Sequence, residues 1–553
     1  MERSTVSEAP GHDGEWSPPG PGQWSLDRSH YPGGTTPISR WLLERGMESG
    51  MRRVFGEMGA PLDTLCARFV HGFMYTRTVP LVGAGRTATK LPPLWVLKVA
   101  SRVHPQFRRR TRVAARVLVE PPGPAIVKRW NGELKPAVEA RNHALAAADL
   151  AALDDAALGA HCRELLDHLL EMSDLHFWLH GYDLGPIARY VALTKSLDIP
   201  TSVAVVALAG ASPSTMAPRL QLTAIRAAVG DATPTTLAEL RACSPEVAAM
   251  LDSYVAERGS TLVTQYDLDG LTLAELPETL FDSIMRAGSA PEPTDVAAAA
   301  AKVGALVPAH RRAEFEARLD EARTVMDMRD DNGPTVFERP MGLLRLALLE
   351  VGRRLVARGA AERPEHAFEL AHDEVVPLLL SGRGPAAAVL AQRAAERHAE
   401  ARLTPPATLG PIEAVPPPDV LPAPLAEFAT TVQVALVELG MLGPDHSADG
   451  LSGTGIGTQA YRGRVRRSDS PEAAIDAMEP GDVLVVRATS PAFNAVLSIA
   501  GAVITAYGGP LSHAAVLARE LGIAAVVGAH GALELPDGAL VEVDPVAGVV
   551  RLL

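Results

Sequence analysis

Near Gly455 the sequence changes its period, and that change limits the fold more than any other feature. Before it, from Trp24 to about Leu403, apolar residues recur mostly at three- and four-residue spacing. Asp149 to Met172 (DLAALDDAALGAHCRELLDHLLEM) and Gly342 to Arg358 (GLLRLALLEVGRRLVAR) are the clearest amphipathic helices, the second ending at a capping Gly359. After it come short β-branched runs punctuated by Gly, Pro and Asp: Gln459–Arg467, Asp482–Arg487, Ala502–Thr505, Ala524–Val527 and Leu540–Val543. Helical runs lie between them. The expected fold is therefore multidomain, with a mostly α-helical N-terminal and middle region and a C-terminal α/β domain.

Four segments follow. Residues 1–23, polar and rich in Pro and Gly, read as a disordered tail. Residues 24–403 form the helical part. Residues 404–454 hold a proline-rich stretch, Pro405–Pro424, and a connecting helix. The stretch reads as a semi-rigid linker or an extended surface segment, and as a candidate hinge. Residues 455–553 form the α/β domain. A length of 553 residues accommodates several cores of ordinary size.

Composition excludes some classes. Net charge is -13, and the densest basic run is Arg108-Arg109-Arg110, so no nucleic-acid partner is expected. Cys66, Cys162 and Cys243 are scattered and form no CxxC pair, which argues against a disulfide framework or a zinc site. The most apolar window, Ser202–Ser212, is too short to span a bilayer, and the N-terminus lacks the order of a signal peptide. A cytoplasmic protein without a membrane partner is the expectation.

The stretch GGPLSHAAVLARELG, Gly508 to Gly522, carries the chemistry. Gly508 and Gly509 permit a tight turn, Ser512 is a good N-cap, and His513 then opens a helix. The positive end of a helix disfavours an imidazolium, which leaves a neutral, nucleophilic ring near pH 7. It also favours a bound anion. A surface histidine after a routine turn fits the spacing equally well.

Beyond that turn, the run from Gly508 to Val550 resembles the mobile phosphohistidine domain of phosphoenolpyruvate-utilising enzymes. These include pyruvate phosphate dikinase, phosphoenolpyruvate synthase and rifampin phosphotransferase. The resemblance rests on the glycine pair, Ser512-His513, Ala518–Gly522, Val526–Gly528 and Asp544-Pro545, and on the upstream segment Gly463–Phe493. Leu511 and Pro510 depart from the family pattern. More loosely, His30–Met47, Phe73–Pro80, Glu257–Leu280 and Arg329–Leu379 are similar to the helical acceptor-binding part of rifampin phosphotransferase-like enzymes.

The resemblance implies a phosphotransferase of the dikinase type in which His513 is transiently phosphorylated. ATP donates the group, with release of AMP and phosphate, and a small-molecule acceptor receives it. Gly508, Gly509, Ser512 and Arg329 are the candidate phosphate contacts, with helix-surface ion pairing the commoner role for a residue placed as Arg329 is. His176 and His180, four residues apart and so on one helix face, are candidate bases for an acceptor hydroxyl, although a packed or solvated pair is the commoner outcome of such spacing. No metal site is expected in this chain. No ATP-grasp pattern stands upstream, and the sequence leaves no room for a barrel after Leu553. ATP and Mg2+ are therefore expected on a separate ATP-grasp subunit, as in split members such as phenylphosphate synthase. Two other readings remain open: a non-catalytic protein that retains the fold, and a phosphorelay carrier with no acceptor of its own. An apolar pocket facing His513 separates the enzyme from the relay. Arg519 and Glu520 are expected to pair locally or face a docking partner, and Arg77 to serve structure.

Overall fold

The structure, a computed structural model, describes residues 16–27, 30–31, 33–83, 85–287, 296–438, 451–468, 473–474, 477–489, 493–497 and 499–553. The helical region is organised around one helix, Asp155–Ser196, about 63 Å long at the usual rise. The Asp154 carboxylate accepts the Ala157 N–H at 2.7 Å and fixes its start. The leucine pattern predicted this helix only over Asp149–Met172. It begins later, because residues 149–153 turn, and runs on through Pro186 because its apolar residues stay buried to Thr194. Against it pack the helices Pro37–Met58, Arg312–Asn332, Arg339–Ala357 and Ala423–Glu438. The crossing with Pro37–Met58 is tight: a Cβ on Gly50 would lie 2.4 Å from the Asp174 carbonyl oxygen.

Buried polar groups tie distant segments to this bundle. Asp267 accepts the backbone N–H of Thr36 at 2.7 Å and the Ser39 hydroxyl at 2.6 Å, which caps the first long helix from another part of the chain. Arg397 pairs with Glu369 at 2.8 Å and Asp269 at 2.6 Å. Removing one partner of such a buried pair leaves an uncompensated charge, so the network fixes how the segments meet.

A small antiparallel sheet flanks the bundle. Its strands are β1 (Trp24–Leu26), β2 (Leu62–Val70), β3 (Phe73–Pro80) and β4 (Thr408–Leu409), in the order β2-β3-β1-β4. This sheet corrects two expectations. Residues 16–23 are not a tail: the Trp16 ring lies 5.9 Å from Phe73, and Gly22 N–H donates to Thr87 Oγ1 at 2.8 Å. Residues 1–15 lie outside the described residues. The proline-rich stretch is an extended surface segment rather than a free tether. Trp24 pairs with Leu409, and Glu413 meets Arg77 at 3.2 Å and accepts the Gln23 N–H at 3.0 Å. Proline removes helix as an option, but the remaining donors and acceptors are paired with the sheet.

The C-terminal domain is a seven-stranded mixed sheet. Its strands are β5 (Thr454–Ile456), β6 (Tyr461–Arg467), β7 (Val483–Val486), β8 (Ala502–Thr505), β9 (Ala524–Val527), β10 (Leu540–Asp544) and β11 (Val549–Leu552). The order is β11-β10-β6-β7-β8-β9-β5, with β6 to β9 parallel and the flanking strands antiparallel. The central strands β7, β8 and β9 are buried along their whole length, which is why they read as continuous β-branched runs instead of alternating ones. One apolar core runs from the helical bundle into this domain through Phe428, Leu511, Ala514 and Leu517. Among the described residues, no helix is long and apolar enough to cross a membrane.

Candidate functional site

His513 opens the helix His513–Leu521 directly after the turn that follows β8. Gly508 holds φ +116°, and a Cβ there would come within 3.0 Å of the Ser512 Cβ, so both conformation and space call for glycine. Ser512 is the N-cap: its backbone is extended, and its hydroxyl faces the Ala515 N–H at 3.4 Å. The His513 ring places Nδ1 3.0 Å from the Thr489 hydroxyl, which comes from the segment after β7. When Nδ1 carries the proton and donates it to Thr489, Nε2 keeps its lone pair. Burial pushes the imidazole down to about 4; the nearby Asp330 carboxylate opposes that shift and the Arg329 guanidinium adds to it. The ring is therefore neutral through the physiological range.

Arg329 stands in the last turn of the helix Arg312–Asn332 and bridges the two parts of the molecule. One guanidinium nitrogen lies 2.7 Å from Asp330, and the other donates to the Leu511 carbonyl at 2.5 Å. Its Nε is buried without a hydrogen-bond partner among the described residues. A planar fork with a spare donor beside a histidine suits a phosphoryl group. The side chain of Leu511, the departure from the family pattern, is buried in the core, and its backbone oxygen holds Arg329.

His176 and His180 lie on the long helix with ring centroids 4.6 Å apart. Asn332 Nδ2 donates to the His176 carbonyl at 3.1 Å, which orients the amide so that its Oδ1 faces His176 Nδ1 at 3.2 Å. His176 thus carries its proton on Nδ1, and burial, with His180 close by, holds it well below the usual imidazole range. His180 Nδ1 faces the buried Asp183 carboxylate at 3.0 Å. In both rings Nε2 is left as the base.

All of these groups open onto one cavity of about 560 Å³ between the helical region and the C-terminal domain. His513, Gly508, Ser512, Arg329, His176 and His180 line it together, with Met47, Phe55, Met74, Phe177 and Leu184 among its apolar walls. Gly509 does not line it. That residue is buried under the turn, and its carbonyl accepts the Ser512 N–H at 2.9 Å. Arg77 is far from this chemistry, paired with Glu413. Arg519 and Glu520 pair at 3.0 Å, and Glu520 accepts the Gly210 N–H at 2.9 Å, which locks the histidine helix against the helical region. Among the described residues, no three His, Cys, Asp or Glu side chains cluster so as to hold a metal ion.

Four contributors escaped sequence reasoning. Asp183 stands three residues after His180, a helical spacing that signals it in hindsight, whereas Asn332 meets His176 from 156 residues away. Thr489 and Glu338 carry no such signal, because only the tertiary fold brings them to the cavity.

The fold and cavity define a two-part protein in which an α/β domain presents a neutral, half-buried histidine to a pocket in a helical region. Residues 478–548 match the family described as PEP-utilising enzyme, mobile domain. The chain thus carries a mobile domain of the phosphoenolpyruvate-utilising type over those residues. An uncharacterized protein of Mycobacterium tuberculosis is 33% identical over 297 residues, 52% of this chain and 29% of its own length. That match is longer than residues 455–553 can supply, so it reaches into the helical region. An uncharacterized phosphotransferase of Bacillus subtilis is 31% identical over 248 residues, 44% of this chain and 27% of its own. A phosphoenolpyruvate synthase of Aeropyrum pernix is 48% identical over 89 residues, 16% of this chain and 11% of its own. The chain spans under a third of the length of these curated relatives.

Proposed function

We propose that His513 accepts a phosphoryl group and passes it to a small-molecule acceptor held in the cavity. One observation carries this reading: the neutral His513 ring shares a single cavity with a buried arginine and two histidines whose Nε2 atoms are free to act as bases. Nε2 of His513 forms the N–P bond as the donor's leaving group departs. In the second step that N–P bond breaks as the acceptor oxygen bonds to phosphorus. The acceptor's hydroxyl proton moves to Nε2 of His180, whose Nδ1–H is held by Asp183. Arg329 neutralises charge on the phosphoryl oxygens, and positioning with neutralisation is most of what such transfers require. ATP as donor, with Mg2+, is assigned to a separate ATP-grasp partner subunit. The printed names of the relatives, phosphotransferase and phosphoenolpyruvate synthase, agree with this direction. The apolar walls facing His513 favour an acceptor site over a relay that hands its phosphoryl group to another protein.

The test needs no partner. Phosphoramidate phosphorylates histidine chemically, its P–N bond breaking as the ring's N–P bond forms and ammonia leaving. The chain holds 16 histidines, so wild-type protein should gain one more acid-labile, base-stable phosphoryl group than His513→Ala, the other histidines being common to both. Equal labelling of the two would refute the assignment.

A further inference from the structure

One carboxyl group on the cavity wall stands apart from the others. Glu338 ends the π-helical segment Gly333–Glu338, which joins the helices Arg312–Asn332 and Arg339–Ala357. It lines the cavity and is only 3% exposed. Its Oε2 is buried with no hydrogen-bond partner among the described residues. Each of the other carboxylates on the cavity wall has a basic partner. Asp27 faces His30 at 2.9 Å, Glu257 faces Arg258 at 2.8 Å, and Asp330 faces Arg329 at 2.7 Å. Asp331 and Glu139 share Lys135, at 2.7 and 3.9 Å. Glu338 has none among the described residues.

An unpaired buried carboxyl group is costly, and native proteins retain one where something else completes it. Burial pushes Glu338 up to about 8, with no neighbouring cation to bring it down. The missing element is a positive charge or a strong hydrogen-bond donor. The surrounding wall tells how it must arrive. Tyr31, Tyr266 and Phe337 line the cavity with Glu338, so the partner has to come on an apolar body. Glu338 also lies nine residues beyond Arg329 on a continuous helical path, about 13 Å along the axis.

We propose that Glu338 anchors a basic nitrogen of the acceptor, so that the cavity takes an apolar amine whose hydroxyl lies at the far end, beside Arg329 and His513. This rests on the cavity being the acceptor site. The ammonium supplies the counter-charge that Glu338 lacks, and the apolar body fills the space between the two ends. The geometry thus selects for both groups and for their separation.

The probes are ω-aminodecanol and decane-α,ω-diol, which differ only in one terminal group and have a length suited to the span. Their binding to the wild-type chain is measured by titration calorimetry at neutral pH. A charge-assisted bond of about 1.5–3 kcal/mol predicts that the amine binds about 10- to 100-fold tighter than the diol. Glu338→Gln and Glu338→Met should bind the two probes alike. Their melting temperatures should not fall, since Glu338 stabilises nothing it touches in the free protein. Equal binding of amine and diol to wild type, binding of neither, or a preference retained in both variants overturns the proposal. Phosphoramidate labelling of His513 is scored on the same preparations. Labelling without amine preference removes the acceptor class and leaves the carrier; amine preference without labelling removes the carrier and leaves the Glu338 site.

Discussion

Thr489→Val isolates the control of His513 by its neighbour. The substitution keeps the shape of the side chain and removes only the hydroxyl that stands 3.0 Å from His513 Nδ1. With Thr489 accepting the Nδ1 proton, that contact favours the tautomer whose Nε2 lone pair is available. A single net hydrogen bond is worth about 0.5–1.5 kcal/mol. Losing it lowers the population of the reactive tautomer, and with it the phosphorylation rate, by about 2- to 13-fold. The assay is the initial rate of phosphohistidine formation from phosphoramidate, quenched in alkali and read by mass on the peptide that holds His513. Thr489→Ser retains the hydroxyl and should stay within about twofold of wild type. Two results would refute the reasoning: an unchanged rate in Thr489→Val, or a loss in Thr489→Ser as large as in the valine variant. The first would mean that the bond does not set the tautomer, and the second that the methyl group, not the hydroxyl, positions the ring.

Two further outcomes follow from the same structure. Because burial lowers His513 to about 4, its ring stays neutral where an ordinary histidine, near 6.5, becomes protonated. Between pH 7.5 and 5.5, the rate of His513 labelling divided by that of N-acetylhistidine should therefore rise about tenfold; a constant ratio would show that the ring titrates as a free one. At the crossing of the first long helix with the central helix, Gly50→Ala puts a methyl group 2.4 Å from the Asp174 carbonyl oxygen. The gain in helix propensity, about 1 kcal/mol, is outweighed by overpacking of about 1–3 kcal/mol against an immovable backbone, so the denaturation midpoint should drop. Gly185→Ala, with nothing within 4 Å of its Cβ, should leave it level or raise it, and equal midpoints for the two variants would contradict the packing argument.

Much of the C-terminal domain was legible because its signals are local. β8 and β9 fall on the runs Ala502–Thr505 and Ala524–Val527, and the Ser512 cap with Gly522 at the other end marks the histidine helix. A buried parallel strand must be apolar throughout, and a helix must cap its free N–H groups, so residue type alone reports both. The helical region was legible as a class but not in its bounds. The central helix outran its leucine pattern, because burial from several neighbours replaces periodicity on a helix covered all round. Residues 16–23 read as a tail, and the proline-rich stretch stayed open between linker and surface segment, because low helix propensity says nothing about partners 390 positions away, as for the Gln23 N–H and the Glu413 carboxylate.

The sequence by itself determined that a histidine would open a helix beyond a glycine turn, and that His176 and His180 would share a helix face. It held those groups as three separate candidates. Only the tertiary structure decided that they meet. Arg329 reaches Leu511 across 182 residues, Thr489 meets His513 from another strand end, and Glu338 has no partner among the described residues while each other carboxylate on the cavity wall faces a basic group. The physical reason is range. Capping, turns and periodicity act over a few residues and are written in local composition. A cavity is set by the packing of helices and sheet that are distant in the chain, and no stretch of sequence records which polar group that packing will leave facing the void.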